Sequence, residues 1–285
     1  MFRILHNEAR SILSDTSGFI ASAGFTHSLT PARNCTYGCT YCYVPTMRIY
    51  GGLKREDWEH WGQFTTFKDN APDLLRKQLR SDMVIYCSPL VDPYQPAERS
   101  EQTMPKLYEV LLQRPPRVFV IQTRGPLILR DLHHLSALAR RTTVRVSFSI
   151  TTNREDVRRW FEPHCEPNEE RLRAIAALRE AGIETYATLA PLLPCDPDAL
   201  AEQSLLASGR DLIGDPLHVR PVKRHGATTR EQAFRIARVR GFQDWLQPGF
   251  QEETIARIKR VAACAGRRFL IGPAGFSLLS NHSGG

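Results

Sequence analysis

The sequence predicts an α/β protein organised on a parallel sheet, and three observations predict it. Apolar, β-prone runs recur along the chain, helical apolar spacing fills the intervals between them, and 285 residues suffice for one large α/β unit or two ordinary domains.

In order, residues 25 to 34 (FTHSLTPARN) read as a strand running into a loop that carries a cysteine cluster. A charged, aromatic stretch, Lys54 to Asp69, follows. Further strands are read at 83–87 (MVIYC), 117–123 (RVFVIQT), 143–151 (TVRVSFSIT), 183–190 (IETYATLA) and 217–222 (LHVRPV). Between them, Leu107, Val110 and Leu111 fall at helical spacing, as do Leu132, Leu135 and Leu138, and Leu172, Ile175 and Leu178; Gly182 is placed to cap the last set. Six strands alternating with helices give either a doubly wound open sheet or a full or partial barrel, and periodicity does not choose between them.

Within VRVSFSIT, Val144, Val146, Phe148 and Ile150 share one face, and Arg145, Ser147, Ser149 and Thr151 the other. That polar face suits a lumen. Sites on α/β barrels gather at the carboxyl ends of the strands, so Cys87, Ser88, Thr123, Arg124, Ser149 and Thr151 are expected to converge with the cysteine loop. No repeat, low-complexity tract or domain linker is evident, and only the terminal SNHSGG reads as disordered.

Apolar residues at 42% and charged residues at 24% are the balance of a soluble protein with a substantial core. No apolar run approaches the roughly 20 residues that cross a bilayer, and the start lacks a signal-peptide core. These features predict a cytoplasmic protein that makes no membrane contact. Seven cysteines in a reducing compartment do not make a disulfide framework, so a tight group of them points to metal or redox chemistry. A net charge of +8 and a pI near 9.3 suit an anionic partner: nucleic acid, a phosphorylated substrate or an acidic protein. The simpler account is a solvated Arg-rich surface. Residues 220–240 hold seven Arg or Lys (Arg220, Lys223, Arg224, Arg230, Arg235, Arg238, Arg240) against Glu231, which marks this segment as the anion-binding candidate.

Cys35-Thr-Tyr-Gly-Cys39-Thr-Tyr-Cys42 is C-x3-C-x2-C with an aromatic residue before the third cysteine. Three thiolates on one loop can each hold one iron of a [4Fe-4S] cube and leave the fourth iron open. Gly38 permits the tight turn. Zinc fits poorly, because no second cysteine or histidine knuckle follows. A ferredoxin-type cluster needs a fourth cysteine, which Cys87, Cys165, Cys195 or Cys264 could supply only through the fold.

A C-x3-C-x-aromatic-C motif after a first strand resembles the signature of the radical S-adenosylmethionine (SAM) superfamily. Residues Thr30 to Tyr43, TPARNCTYGCTYCY, are similar to the N-P-Y-x-G-C-x-H-x-C-x-Y-C-Y of the spore photoproduct lyase-like group, departing at Thr30, Ala32, Asn34 and Tyr37. Asp92 to Glu98, DPYQPAE, resembles D-P-Y-Q-P-x-E, and Thr123 to Asp131, TRGPLILRD, resembles T-K-S-x-L-V-L-R-D. The resemblance spans roughly residues 25 to 220.

The resemblance implies a partial (β/α)6 TIM-type barrel over residues 25–222, with an N-terminal extension (1–24) and a small basic C-terminal extension (223–285) packing on the core. It implies a [4Fe-4S] cluster on Cys35, Cys39 and Cys42, SAM chelated by the open iron, and reductive cleavage to a 5′-deoxyadenosyl radical that abstracts hydrogen. It also implies an electron donor such as flavodoxin or ferredoxin. Cys87 stands near the family's hydrogen-donating cysteine, and Tyr41 and Tyr43 match tyrosines of its relay. For SAM, the resemblance points to Tyr41 backbone atoms at the adenine, Ser88 and Ser149 near the ribose or amino-acid part, and Arg124, where the family has lysine, at the carboxylate.

As a plain thiol, Cys87 is a small hydrophobe at a strand end. The family's Ser/Thr, Ser and Asp after that cysteine are replaced here by Ser88-Pro89-Leu90-Val91-Asp92, a departure that counts against thymine-dimer repair. Cys165, Cys195 and Cys264 read as core or incidental thiols, and His133-His134 as a helix face. Asp92 and Glu98 sit in a Pro-rich loop as caps or ion-pair partners.

Three functions compete. The leading one is a radical SAM lyase-like enzyme acting on DNA or another nucleic acid, with Phe234, Phe242, Trp245 and Phe250 as stacking candidates. The others are a radical SAM enzyme for a small molecule or peptide, and a non-catalytic iron-sulfur sensor or nucleic-acid-binding protein.

Overall fold

The computed structural model describes residues 2–46, 59–219 and 229–281. Eight strands form the main sheet in the order β11-β10-β9-β8-β7-β6-β3-β2. They are β2 (Leu13–Asp15), β3 (His27–Leu29), β6 (Val84–Cys87), β7 (Val118–Thr123), β8 (Thr143–Ser149), β9 (Glu184–Leu192), β10 (Leu212–Pro216) and β11 (Phe269–Ile271). From β3 to β11 every pairing is parallel and follows chain order, while β2 runs antiparallel on the edge. A doubly wound sheet reverses its order at a switch point, and this one does not. Among the described residues it does not close either, so it is an open partial barrel.

The helices Thr103–Gln113, Leu132–Ala139 and Asn168–Glu180 form where the apolar spacing predicts them. Gly182 follows the last at φ 79°, the left-handed conformation that suits glycine. Strand faces divide as the alternation predicts. Ile85, Ile121, Val146 and Phe148 bury against the helices in the main core, while Val84, Tyr86, Val118, Val120 and Tyr186 face the lumen side. Arg145 and Ser147 also point there: Arg145 reaches Glu184 and the Leu279 carbonyl, and Ser147 pairs with Gln122 and Thr188. Desolvating these groups is tolerable because each is paired.

One strand is not where the sequence predicts it. The sixth lies at Leu212–Pro216, not 217–222; Leu217 is buried outside any strand, and residues 220–222 lie outside the described residues. The reason is packing. A Cβ on Gly214 would come within 2.4 Å of the Phe269 ring, so this glycine is the position that lets β11 pack alongside. A second, three-stranded sheet joins β1 (Arg3–Asn7), β5 (Phe64–Lys68) and β4 (Ala32–Arg33), with β1 and β5 parallel and β4 antiparallel to β5. Among the described residues no helix is long and apolar enough to cross a membrane.

Candidate active site

The cysteine loop leaves β4 and lies over the carboxyl ends of the main sheet. Two left-handed residues bend it, Asn34 and Gly38, both at φ 62°. Gly38 amide donates to the Cys35 carbonyl at 3.3 Å, and Cys42 amide to the Cys39 carbonyl at 3.2 Å. Gly38 also backs onto Gly62, where a Cβ would sit 2.6 Å from the Gly38 Cα. Glycine is required at this contact for space as well as conformation.

The three family-like motifs are hydrogen-bonded to one another. Gln95 Oε1 accepts from the Thr36 amide at 2.8 Å, and Tyr37 hydroxyl donates to the Tyr94 carbonyl at 3.0 Å, joining the second motif to the cysteine loop. Asp92 accepts from Thr123 Oγ1 (2.7 Å), the Arg124 amide (2.8 Å) and the Tyr94 amide (2.9 Å), and Arg130 reaches Glu98 at 3.0 Å, joining the second motif to the third. Asp92 and Glu98 are thus anchors within the frame. Burial pushes both carboxyls up against the opposing pull of these donors.

A second wall comes from residues 161–166, which sequence reasoning missed. The Thr40 amide donates to the Phe161 carbonyl at 2.9 Å. Glu162, fully buried, accepts from Tyr41 hydroxyl (2.5 Å), Arg124 (2.5 Å), Thr151 (2.8 Å) and Arg171 (2.6 Å). Burial alone would raise this carboxyl, but Arg171, Arg124 and the two hydroxyl donors outweigh it and hold it at about 2. One carboxylate therefore ties the cysteine loop to the segments after β7 and β8 and to the helix Asn168–Glu180. No residue-type pattern marks Glu162, because its four partners come from four separate stretches.

Cys35 and Cys39 are buried and Cys42 is partly so. Burial raises Cys35, with Asp92 and Cys39 adding to it, and pushes Cys42 up to about 12. Cys39 is lowered, first by a hydrogen bond from Cys165. Cys165 is thus a core thiol, as predicted, but one set against the loop. Among the described residues no three His, Cys, Asp or Glu side chains converge on a single metal ion. A cubane does not ask for that, since each thiolate takes a different iron. Three sulfurs from one buried loop are a donor set that fits a cube. At the end of β6, Ser88 Oγ is buried with no hydrogen-bond partner, an orphan of the kind a polar ligand satisfies.

The other predicted residues fall as follows. Tyr41 hydroxyl and the Arg124 guanidinium are joined to each other and to Glu162, so Arg124 already has a counter-ion. Ser149 is buried, its hydroxyl accepting from Gln122 at 2.7 Å. Tyr43 hydroxyl donates to the Pro89 carbonyl. Cys87 is fully buried in the helix-side core with Leu29 and Ile121, and burial pushes its thiol up. The described hydrogen bonds take Tyr41 to Glu162 and Arg124 and Tyr43 to Pro89, while Cys87 packs among apolar side chains. The His133 and His134 rings lie tilted to each other, 3.9 Å apart on one helix, and His134 stacks on Tyr108, which fits a helix packing against its neighbour. Trp245 is buried and donates to the Leu192 carbonyl, which removes it from the stacking candidates.

Known proteins resemble the chain in sequence and in fold. Residues 29–203 match the family model described as the radical SAM superfamily. An uncharacterized protein of Methanocaldococcus jannaschii is 29% identical over 161 residues, 56% of this chain and 58% of that one. An uncharacterized protein of Mycobacterium tuberculosis is 27% identical over 178 residues, 61% and 52% of the two chains. The chain therefore spans between half and three-fifths of the length of these relatives. Among solved structures, a spore photoproduct lyase complexed with dinucleoside spore photoproduct shares the fold at a TM-score of 0.61, with 14% identity over 94% of this chain and 81% of that one. With the family model covering more than half of its length, the chain belongs to the radical SAM superfamily.

Proposed function

We propose that the protein is a radical SAM enzyme in which Cys35, Cys39 and Cys42 hold three irons of a [4Fe-4S] cluster and SAM occupies the fourth. The observation that carries this reading is the buried C-x3-C-x2-C loop, fixed by Gln95, Tyr94 and Glu162 over the carboxyl ends of β6, β7 and β8. When bound and reduced, the cluster supplies the electron that cleaves the SAM sulfonium. The chain's own part is to position and shield. The Glu162 network holds Tyr41 and Arg124 rigid, Ser88 offers an unused hydroxyl, and buried Tyr37, Val44 and Trp61 keep water from the loop.

Nucleic acid is the substrate class we propose, supported by a basic aromatic surface beside the loop. Arg240 lies over Trp160 at 4.4 Å, Arg154 over Phe242 at 5.1 Å, and the two rings stand 6.0 Å apart. Rings and guanidinium planes of this kind stack on bases. Arg230 is close enough for Cys42 and Cys39 to act on its charge, which links this surface to the loop. Arg220, Lys223 and Arg224 of the basic segment lie outside the described residues.

A second reading has one specific observation: Cys165 against Cys39 could complete a four-cysteine cluster with no open iron, as a non-catalytic sensor requires. Anaerobic reconstitution with iron and sulfide, reduction with dithionite and assay for 5′-deoxyadenosine separates the two. Wild type and Cys165→Ala are expected to form 5′-deoxyadenosine and Cys39→Ala none. A fully loaded cluster that leaves SAM intact, with iron lost in Cys165→Ala, would overturn the enzyme reading.

A further inference from the structure

We propose that Cys165 is a positioning residue that acts on the cluster through Cys39: its thiol donates a hydrogen bond to the Cys39 sulfur and so raises the reduction potential, without ligating iron. The inference rests on the radical SAM reading and adds to it a residue that none of the three family-like motifs contains. Two segments of chain face each other along their length. Tyr37 hydroxyl lies 3.2 Å from the Glu166 carboxylate, and a Cβ on Gly38 would sit 3.4 Å from the His164 ring. Thr40 donates to the Phe161 carbonyl through its amide at 2.9 Å and its hydroxyl at 3.3 Å, and Tyr41 hydroxyl donates to Glu162 at 2.5 Å. Cys39 stands in the middle of the first segment and Cys165, between His164 and Glu166, in the second; both are buried in one cluster of side chains.

Cys165 is held as firmly as the loop it faces. It follows the helix Glu155–Phe161, its amide donates to the Glu162 carbonyl at 3.1 Å, and its carbonyl accepts from Arg158 at 2.5 Å. Arg158 is itself buried and fixed by Glu155 at 2.8 Å. With the backbone tied on both sides, only rotation about χ1 is left to aim the sulfur, so little entropy opposes the contact with Cys39.

A cluster ligand is a thiolate, and a thiol, weak as a donor to neutral groups, gives a stronger bond to a charged acceptor. A buried cysteine in apolar surroundings keeps its proton. The shifts agree with that division of roles: Cys39 is lowered, first by a hydrogen bond from Cys165, while burial raises Cys165. Cys35 and Cys42 receive backbone amides instead, from Asp92 and Tyr37 and from Val44, which no side-chain substitution removes. Reduction adds one negative charge to the cluster and its sulfurs. A donor at a ligand sulfur therefore stabilises the reduced form more than the oxidised one, and the potential rises.

The test is a redox titration of the reconstituted full chain followed by electron paramagnetic resonance, with iron per chain and thermal midpoint measured on the same samples. In folded, fully loaded Cys165→Ala the midpoint should move to lower potential, the reduced-to-oxidised ratio at a fixed poise falling roughly three- to tenfold. Cys165→Ser keeps a donor and should recover most of that shift. Cys165→Val, which fills the space without a donor, takes the place of Cys165→Ala if the alanine variant does not fold. A wild-type potential in the folded, loaded alanine or valine variant, or a shift that serine does not reverse, would overturn the proposal. So would loss of iron from a folded Cys165→Ala, which would make Cys165 a fourth ligand. The radical SAM reading fails by a different result: a fully loaded, reduced wild-type cluster that leaves SAM intact, whatever the potentials of the variants.

Discussion

Replacing Glu162 by glutamine removes one charge and leaves the shape, so it isolates the electrostatic role of the buried hub. Two independent routes give its magnitude. The carboxyl lies at about 2 against an ordinary 4.5, and at about 1.4 kcal/mol per pH unit this is roughly 3 kcal/mol. Removing one partner of a buried ion pair costs about 3–5 kcal/mol, because Arg171 and Arg124 are left without their anion. With about 2.1 cal/mol/K of unfolding entropy per residue, a chain of 285 residues then loses roughly 5–8 °C of Tm. The sign with pH follows from the depressed carboxyl. Its contribution is complete above the ordinary value of 4.5 and is lost as pH falls from there toward about 2. Urea unfolding of cluster-free wild type and Glu162→Gln, followed by tryptophan fluorescence, should therefore show the same penalty at pH 7.5 and pH 5.5. A penalty below about 1 kcal/mol, or a variant more stable than wild type at pH 5.5, would refute the hub: burial would then outweigh the guanidinium groups.

Other expectations follow from the same geometry. Gly62→Ala places a Cβ 2.6 Å from the Gly38 Cα and should lower iron bound per chain after reconstitution, with little change in far-UV circular dichroism. Gly125→Ala sets a Cβ 2.5 Å from the Tyr37 hydroxyl and 2.6 Å from the Tyr94 carbonyl; it should uncouple the second motif from the loop and cut iron loading likewise. Cys87→Ser buries a hydroxyl in the helix-side core and should cost about 1–3 kcal/mol in denaturant unfolding, whereas Cys87→Ala should still form 5′-deoxyadenosine.

The cysteine loop was legible because its information is local: three thiols, a glycine turn and an aromatic residue in eight positions. The five central strands were legible through β-prone runs and the polar face of β8. Glu162 was not, because its meaning lies in Tyr41, Arg124, Thr151 and Arg171, which only the fold assembles. The small sheet escaped notice for another reason. β1 is mostly exposed and shows no alternation, so burial left no period to read in RILHN. The misplaced sixth strand shows the limit of apolar runs. LHVRPV alternates well, yet Gly214, which has no side chain to contribute to a pattern, is what admits β11. Trp245 shows the converse, an aromatic residue in a basic stretch that serves the core.

The helix Gly272–Ser280 fills the amino end of the half-barrel. Phe276 and Leu279 pack among Val84, Val118 and Tyr186 on the lumen side, and the Leu279 carbonyl accepts from Arg145 near the start of β8. The helix is thus a stopper at the amino end of the half-barrel, and among the described residues that end offers no way in. If the substrate is the nucleic acid proposed above, it cannot thread through such a vessel and would have to offer a single unit, swung out of line, from the carboxyl end.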